Sequence, residues 1–506
     1  MALTQSQRGA LRHPVRWLFN GEIDGPEEIP RKELTKFSLG LMGQNQLCGM
    51  AGSNWLFHFC TNVLMLDPVT VGKMIGAVSF FDALNDPVVG AMIDNYRFKD
   101  GRKLLPWIKI TSPFIAVLAF LLFFNWNLPG AGARVIYCVV IYVLWDILYS
   151  FQDSALWGIT AVISPSSAQR ARATQWADIG ALLGGLLPQL LLPMLSGNGA
   201  FGLSQQQVYL LFAAVLCLGG GFQVMTALGV TERVRALPGE EKAQGGFGSV
   251  RSLFRNLGVL RHNYVLLLFL ASEVLKNCAP NVGDAYIFQQ MTYKVGGSDV
   301  PAPVLMIVVG ALTMLPGTLL KPFAVKIAAR VGGMKRVLLI GCLAGIASRL
   351  LRFAVGIKTL PMFVLNFVIA GIEMLPGSIT NIAQRAMISD SVEYVEWKTG
   401  HRTEGITMSV KNLMSKSAWS IQRYIQGLCL GFLQYNAKNV ELGRPQNAHF
   451  HQWVWPIYML GPVMGLVLQL VPLLLLKYPD SLKAQVEDEM ARRRALAAEE
   501  TTENSA

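Results

Sequence analysis

The sequence predicts an all-α membrane protein whose twelve transmembrane helices form two six-helix bundles. The 506 residues are 52% hydrophobic and only 15% charged, which departs from the composition of a soluble domain. Apolar stretches of about 20 residues, long enough to cross roughly 30 Å of hydrocarbon, recur along nearly the whole chain. The longest polar stretch between them lies near the middle of the chain and divides them into two sets of six.

The predicted spans are numbered TM1 to TM12. TM1 to TM6 cover residues 37–62, 69–95, 106–126, 133–163, 174–197 and 205–230, and TM7 to TM12 cover residues 262–292, 302–328, 335–357, 360–389, 404–434 and 452–477. The two predicted bundles therefore comprise residues 37–230 and 262–477. Residues 1–36, 231–261 and 478–506 are predicted to be an N-terminal segment, a central loop and a tail, all cytoplasmic.

Lys and Arg side chains are concentrated in alternate connections, beginning with the segment before TM1. The loop after TM2 contains Arg97, Lys99, Arg102 and Lys103, and TM8 is followed by Arg330 in the loop and by Lys335 and Arg336 at the start of TM9. Because basic loops are retained on the cytoplasmic side, both termini are predicted to be cytoplasmic and the protein to lie in the plasma membrane. Basic loops that face anionic lipid headgroups also account for the net charge of +12 without a nucleic-acid partner.

Sequence motifs of enzymes are missing. The seven cysteines are scattered singly, without a CxxC pair, and there is no HExxH, GxSxG or Walker-type GxxxxGK motif. The sequence therefore predicts neither an enzyme nor an ATP-driven pump, and no cofactor. We expect an ion gradient to supply the energy, a small-molecule substrate and the lipid bilayer to be the partners, and the protein to be a monomer. A membrane enzyme or receptor is the rival class.

TM2 contains two carboxylates on one helical face. Asp82 and Asp86 are four residues apart, with Asn85 beside them. Ionisable groups at mid-membrane cost about 2.5–3.5 kcal/mol each, so two of them on one face indicate a function. Either one carboxyl group binds a proton, or a hard cation such as Na+ or Li+ binds oxygens of both Asp82 and Asp86. The alternative is that both pair with a buried Lys or Arg that holds helices together.

TM4 contains a carboxylate between two aromatic side chains. Tyr149, Asp153 and Trp157 recur at intervals of four residues and share one face. This pattern is typical of a sugar site, because a carboxylate accepts hydrogen bonds from hydroxyl groups and an indole ring packs on the apolar face of a pyranose. Alternatively, Trp157 is a packing or interfacial residue and Asp153 a structural partner.

TM11 contains Asn412 and Lys416 at helical spacing. Lys416 is a candidate charge partner for Asp82, Asp86 or Asp153, and such a pair either takes part in transport or only joins the two bundles.

The remaining charges in the spans have simpler interpretations. Glu273 and Lys276, three residues apart in TM7, are expected to neutralise each other. Arg349 and Arg352 in TM9 are expected to extend towards the membrane interface. Glu373 in TM10 has no evident partner in the sequence.

Three segments together resemble the glycoside-pentoside-hexuronide:cation symporters of the major facilitator superfamily. They are FFDALNDPVVG in TM2, DSALWG in TM4 and SDSVEYVEWKTGHRTEG before TM11. The resemblance implies the major facilitator superfamily fold, with the substrate site between the halves near mid-membrane. It also implies symport of a sugar or glycoside coupled to Na+, Li+ or H+. Lysophospholipid carriers share this plan, so a lipid-like amphiphile is the alternative substrate.

Carried over by position, the cation site of the family falls on Asp82, Asn85, Asp86 and Ser150, and its substrate contacts fall on Tyr149, Asp153, Trp157, Asn412 and Lys416. The match weakens elsewhere on the substrate side. An aspartate of the family in TM1 is replaced by amides at Gln44, Asn45 and Gln46, of which Asn45 and Gln46 are predicted to bind substrate. Asp178 stands near the place of an arginine, and Asn381 replaces a tryptophan. The resemblance therefore predicts a retained coupling ion with a changed substrate.

Overall fold

The computed structural model describes a helical protein. The described residues are 29–51, 54–96, 98, 102–191, 203–233, 263–283, 286, 293–295, 298–300, 304–305, 308–310, 312–313, 334–399, 404–442, 444–476, 482, 485–486, 488–489 and 492. Most of the predicted TM8 and the central loop lie outside these residues, and the predicted domain boundaries remain predictions.

Seven helices lie among the described residues of the first half of the chain. They are α1 (Arg31–Ala51), α2 (Asn54–Asn62), α3 (Pro68–Asn95), α4 (Leu105–Leu122), α5 (Ala131–Val162), α6 (Ser167–Leu191) and α7 (Gln205–Gly229). Helix α1 packs against α6 and α7, α4 packs against α5 and α7, and α3 packs against α5. The helices α3 to α5 and α7 begin within two residues of TM2 to TM4 and TM6. Helix α6 begins seven residues before the predicted start of TM5, and α1 begins six residues before that of TM1.

The second half contains α8 (Tyr264–Asn277), α9 (Met334–Val355), α10 (Leu360–Thr399), α11 (Glu404–Phe432), the short α12 (Ala437–Glu441) and α13 (Ala448–Leu475). Helix α8 ends well before residue 292, the predicted end of TM7. Pro280 follows closely, and proline disfavours helical backbone at the residue before it. A small hairpin pairs β1 (Tyr293–Val295) with β2 (Ser298–Val300), which the all-α prediction did not include. Helix α10 extends ten residues beyond the predicted end of TM10.

Five of the described helices are long and apolar enough to cross a membrane. Their spans are Leu105–Leu122, Ala131–Val162, Gln205–Gly229, Lys335–Val355 and Ala448–Leu475. Large apolar side chains on these helices face outwards, as Leu228 and Ile136 do with about two thirds of their surface exposed. Helices α3 and α11, which contain the predicted site residues Asp82, Asp86 and Lys416, are not among the five, and charged groups of this kind are costly inside a membrane.

Helices α3 and α11 join the two halves through a close contact at glycine residues. A Cβ atom added to Gly72 would lie 2.9 Å from the Cα of Gly427 and 3.0 Å from the carbonyl oxygen of Arg423. One turn further along, Ser420 Oγ donates a hydrogen bond to the carbonyl oxygen of Gly76. Small residues on both helices allow this approach, as in other membrane helix pairs. Asp82 and Asp86 follow Gly76 on α3, after this contact.

Beside this contact, buried polar side chains connect the halves. The tyrosine network consists of His58, Thr61, Asn62, Tyr209, Tyr286 and Tyr435. His58 Nδ1 lies 2.6 Å from Tyr209 Oη, and Tyr435 donates a hydrogen bond of 2.9 Å to Asn62 Oδ1. Thr61 Oγ1 lies 2.9 Å from Tyr286 Oη. Because α2 supplies partners for tyrosines of the second half, the network closes this end of the protein.

At the opposite end, two glutamates fix the ends of helices in the first half. Glu33 forms an ion pair of 2.7 Å with Arg233, and this hydrogen-bonded contact raises the pKa of the guanidinium. The buried Glu232 accepts hydrogen bonds from the backbone N–H groups of Lys103, Leu104 and Leu105 at 2.8, 2.8 and 2.7 Å. It therefore satisfies free N–H groups at the start of α4, where a negative charge also complements the helix dipole.

We predict that Glu232→Gln lowers the free energy of unfolding by about 1–3 kcal/mol, because hydrogen bonds to a charged acceptor are stronger than those to an amide. The thermal midpoint of the purified protein in detergent measures this effect. Asp488→Asn, on an exposed side chain of the tail, is the control and should leave the midpoint unchanged. Equal midpoints for Glu232→Gln and wild type would refute the capping role.

Candidate functional site

The candidate site is centred on one lysine of α11 and two aspartates of α3. Lys416 Nζ lies 2.6 Å from Asp82 Oδ2 and 2.5 Å from Asp86 Oδ2. The side chains are about one sixth exposed for Asp82 and about one third exposed for Asp86 and Lys416, so the group is accessible from outside the helix bundle. Of the three partners considered for Lys416, the structure selects the two carboxylates of α3. The contact also agrees with the alternative that the pair holds the two halves together.

Two further predicted residues complete the surroundings of this contact. Ser150 Oγ on α5 donates a hydrogen bond of 3.2 Å to Asp82 Oδ1. The Nδ2 atom of Asn85 is buried and has no hydrogen-bond partner among the described residues. Two carboxylates face one ammonium, which leaves a formal charge of minus one and several oxygen ligands. Oxygen atoms of this kind suit a hard cation, and a carboxylate also suits a proton.

One turn further along α5, Asp153 contacts α1 instead of Lys416. Gln44 Nε2 donates a hydrogen bond to Asp153 Oδ1, while the Oε1 atom of Gln44 is buried without a partner among the described residues. Tyr149, one turn before Asp153, stacks on Trp145 with ring centroids 4.8 Å apart. Trp157 is partly exposed and lies one turn after Asp153. Tyr149, Asp153 and Trp157 therefore lie on the same helix as Ser150, which contacts Asp82 of the aspartate–lysine group.

The other predicted substrate residues make their contacts away from Asp153 and Lys416. Asn45 Nδ2 donates a hydrogen bond of 3.0 Å to the carbonyl oxygen of Leu41 in its own helix. Gln46 is buried against α7, and its Oε1 would lie 2.9 Å from a Cβ on Gly219. Asn412 is exposed and accepts a hydrogen bond of 3.3 Å from Lys411. Their roles in binding remain predictions.

The structure also locates Asp178 and Asn381, two positions where the chain departs from the family pattern. Asp178 lies on α6 with an exposed side chain, and Asn381 lies on α10, where its side chain is outside the described part of the structure. Asp178 makes no ion pair with the aspartate–lysine group, and the role of Asn381 remains a prediction.

Asp146 is a site residue that the sequence analysis missed. It lies on α5 one turn before Ser150, its side chain is buried, and its Oδ2 has no hydrogen-bond partner among the described residues. Extending the helical face of Tyr149 and Asp153 backwards by three residues reaches Asp146. The signal was therefore present in the sequence. A third carboxyl group near the ion pair is a further oxygen ligand for a cation or a further group that can bind a proton.

The arginines of TM9 correct one prediction. Arg349 Nε lies 3.1 Å from Glu373 Oε1, and Arg352 Nη1 lies 3.4 Å from Glu373 Oε2. Arg352 also donates a hydrogen bond of 3.0 Å to Asn366 Oδ1 and is buried. The expectation that Arg349 and Arg352 extend to the membrane interface is wrong, because α10 supplies a carboxylate that binds both inside the bundle. Glu373 thereby gains the partner that the sequence did not reveal.

The expected pairing of Glu273 with Lys276 is also wrong. Glu273 Oε1 accepts hydrogen bonds from Gln384 Nε2 at 2.8 Å and Gln469 Nε2 at 2.7 Å. Within the described part of the chain, Lys276 has no carboxylate within 4 Å. Amides of α10 and α13 satisfy the carboxylate, so the lysine is left for another role.

Residues 37–480 match the family model described as "MFS/sugar transport protein". The chain belongs to this family. The match covers both predicted bundles and confirms the predicted superfamily and its fold. The family consists of membrane transporters, so this protein is a multi-pass membrane transporter and not an enzyme.

Curated relatives extend over most of the chain. The "Uncharacterized symporter YjmB" of Bacillus subtilis (strain 168) is 26% identical over 476 residues, which are 93% of this chain and 97% of the relative. The "Isoprimeverose transporter" of Lactiplantibacillus pentosus is 24% identical over 93% of this chain and 94% of the relative. The "Glucuronide carrier protein homolog" of Escherichia coli (strain K12) is 25% identical over 82% and 86%.

A solved structure supports the fold. The crystal structure of a mutant of the nucleoside transporter NupG superposes with a TM-score of 0.57 at 14% identity, over 88% of this chain and 100% of that chain. At this identity the likeness concerns the fold alone.

Proposed function

We propose that the protein is a secondary active transporter that couples Na+, Li+ or H+ to the symport of a sugar or glycoside. The observation that carries this proposal is the position of Lys416 between Asp82 and Asp86. Its ammonium group occupies the place where the sequence predicts the coupling cation. In one state the Lys416 ammonium binds Asp82 and Asp86, and in the other the coupling ion binds them. Coupling requires two such states. The relatives named for isoprimeverose and glucuronide support a glycoside as the cargo.

The proposed coupling runs through α5. A cation at Asp82 and Asp86 competes with Lys416 and frees its ammonium from α3. Ser150 contacts Asp82, and Asp153 follows three residues later on the same helix, so a change at the cation side moves the substrate side. Tyr149, Asp153 and Trp157 would then bind the sugar, with Gln44 orienting the carboxylate of Asp153. Proton coupling works in the same way, with a protonated carboxyl group releasing Lys416.

We further propose that both termini are cytoplasmic, in the plasma membrane, and that the monomer is the working unit. This orientation places the tyrosine network and the Gly72–Gly427 contact on the extracellular side. The structure would then be the state closed to the outside. Rocking of the two halves about the loaded site would open it alternately to each side.

Uptake into proteoliposomes tests the proposal. We expect accumulation of a neutral or acidic glycoside above its external concentration when a gradient of Na+, Li+ or H+ is imposed, and none without a gradient. Chemical analysis of the vesicle contents should show the solute unchanged. Accumulation of a lysophospholipid but of no glycoside would instead support the amphiphile alternative. Failure of every imposed gradient to concentrate any glycoside would refute cation-coupled sugar symport.

A further inference from the structure

The second half contains a cavity of about 470 Å³ that is separate from the aspartate–lysine site. It lies between α8, α9, α10, α11 and α13 and includes none of Asp82, Asp86, Asp146 or Asp153. This volume falls in the range of about 300–1,000 Å³ that is typical of small-molecule sites.

The cavity wall has an excess of positive charge. Lys276, Arg349 and Arg352 line it, and the only acidic side chain among its described lining residues is Glu373. Glu373 forms ion pairs with both Arg349 and Arg352, so a single carboxylate faces two guanidinium groups. Glu273 lies behind the wall, where Gln384 and Gln469 satisfy it. Even with Glu273 included, one of these three positive charges has no counter-charge among the described residues.

Two cationic side chains retain donors for an anion. Lys276 has no ion pair with any described residue, and its exposed side chain lines the cavity. Arg349 binds Glu373 through Nε, and its two terminal nitrogens have no acceptor in the described part of the chain. A cation enclosed by membrane helices is costly unless an anion neutralises it. The terminal nitrogens of arginine suit the paired oxygens of a carboxylate or sulfonate.

Uncharged polar groups complete the lining. The side-chain amides of Asn281 and Gln422 face the cavity and make no hydrogen bond to another described residue. Amides donate and accept hydrogen bonds, as hydroxyl groups do. Phe367 and Tyr458 add aromatic surface to the wall.

We propose that this cavity is a second ligand site, which binds the carboxylate or sulfonate group of a small, hydroxyl-rich acidic solute through Lys276 and Arg349. Asn281 and Gln422 bind its hydroxyl groups. The site goes beyond the proposed function, since the coupling ion and the glycoside described above bind at other residues. Binding here is independent of whether the protein concentrates that solute.

Isothermal titration of the purified full-length protein with D-glucuronate tests this site. D-Glucose serves as the neutral counterpart, and inorganic sulfate as an anion without hydroxyl groups. We expect saturable binding of glucuronate, with glucose and sulfate at least about tenfold weaker. Lys276→Gln should weaken glucuronate binding about tenfold or more, and Lys276→Arg should restore most of it. Lys358→Gln, the same change on an exposed side chain between α9 and α10, is the matched control and should bind as wild type does.

Several outcomes would overturn the site. Undiminished glucuronate binding by Lys276→Gln would exclude the lysine. Equal affinity for glucose would remove the anion from the recognition, and equal affinity for sulfate would make the cavity an inorganic-anion site. If Lys276→Gln does not fold, Arg349→Lys replaces it, because a lysine keeps the charge but loses the paired donors, and it should weaken binding as well. Accumulation of a neutral glycoside without glucuronate binding would refute this site and leave the proposed function intact.

Discussion

Asp86→Asn is expected to abolish the stabilisation that a coupling cation gives to the purified protein. In wild type, two carboxylates face one ammonium, so a cation still finds an excess of negative charge. In the variant, Lys416 neutralises Asp82 alone, and one oxygen ligand of a hard cation is lost. We expect cation affinity to fall on the order of 100-fold or more. Because a ligand at about 100 times its dissociation constant adds roughly 2.7 kcal/mol to stability, the loss is measurable as a thermal shift.

The comparison uses Na+, Li+ and pH for wild type, Asp86→Asn and the control Asp488→Asn. The control should retain the full cation shift. Concentrative uptake by Asp86→Asn and by Asp82→Asn should vanish together with the shift. If both variants still concentrate substrate as wild type does, the carboxylates only hold the two halves together, as the alternative interpretation states.

Gly72→Val is expected to stop transport without removing the cation site. A valine Cβ would lie 2.9 Å from the Cα of Gly427, where only a glycine allows the two helices to meet. Overpacking of this kind costs about 1–3 kcal/mol, which lowers the ratio of closed to open states roughly 5- to 150-fold. Transport requires that state, so the uptake rate should fall by a similar factor. Gly72→Ala should show a smaller loss.

Gly221→Val is the matched control, since a Cβ on that glycine of α7 meets no atom of the described residues within 4 Å. It should transport at nearly the wild-type rate. Cation-dependent thermal shifts should persist in Gly72→Val, because Asp82 and Asp86 lie beyond the contact. Normal uptake by Gly72→Val would show that this closed contact is not part of the transport cycle.

Helix positions could be predicted well from composition, because crossing a bilayer requires long apolar segments whatever their partners are. TM2, TM4, TM6, TM9 and TM12 agree with observed helices to within a few residues at their starts. Pro280 was a local signal for the early end of α8, but the prediction of TM7 followed the length and apolarity of residues 262–292. The extension of α10 to Thr399 was not predicted, since six of its last ten residues are polar or charged and end the apolar stretch.

Partners of charged side chains were harder to predict, because they depend on which helices become neighbours. Sequence spacing placed Asp82 and Asp86 on one face and gave Lys416 as a partner, but could not choose among three carboxylates. It favoured Glu273 with Lys276 because they are close along one helix, whereas Gln384 and Gln469 are brought to Glu273 from other helices. The spacing rules for a single helix contain no information about such contacts.

The tyrosine network shows the same limit. Its hydrogen bonds join α2 to residues at least 151 positions away, such as Thr61 to Tyr286. Each of these side chains alone has the composition of an ordinary membrane-helix residue. Their common function as a closure between halves becomes visible only in three dimensions.

The most direct test of the account measures the affinity for the transported glycoside with and without saturating cation, and the cation affinity with and without saturating glycoside. If a soluble cation displaces the Lys416 ammonium from Asp82 and Asp86, cation and glycoside should each increase the affinity for the other. Reciprocity requires the same factor in both titrations. We predict at least a fivefold tightening, the lower end of typical coupling of about 1–3 kcal/mol. A glycoside affinity that is independent of Na+, Li+ and pH would contradict cation-coupled symport by this protein.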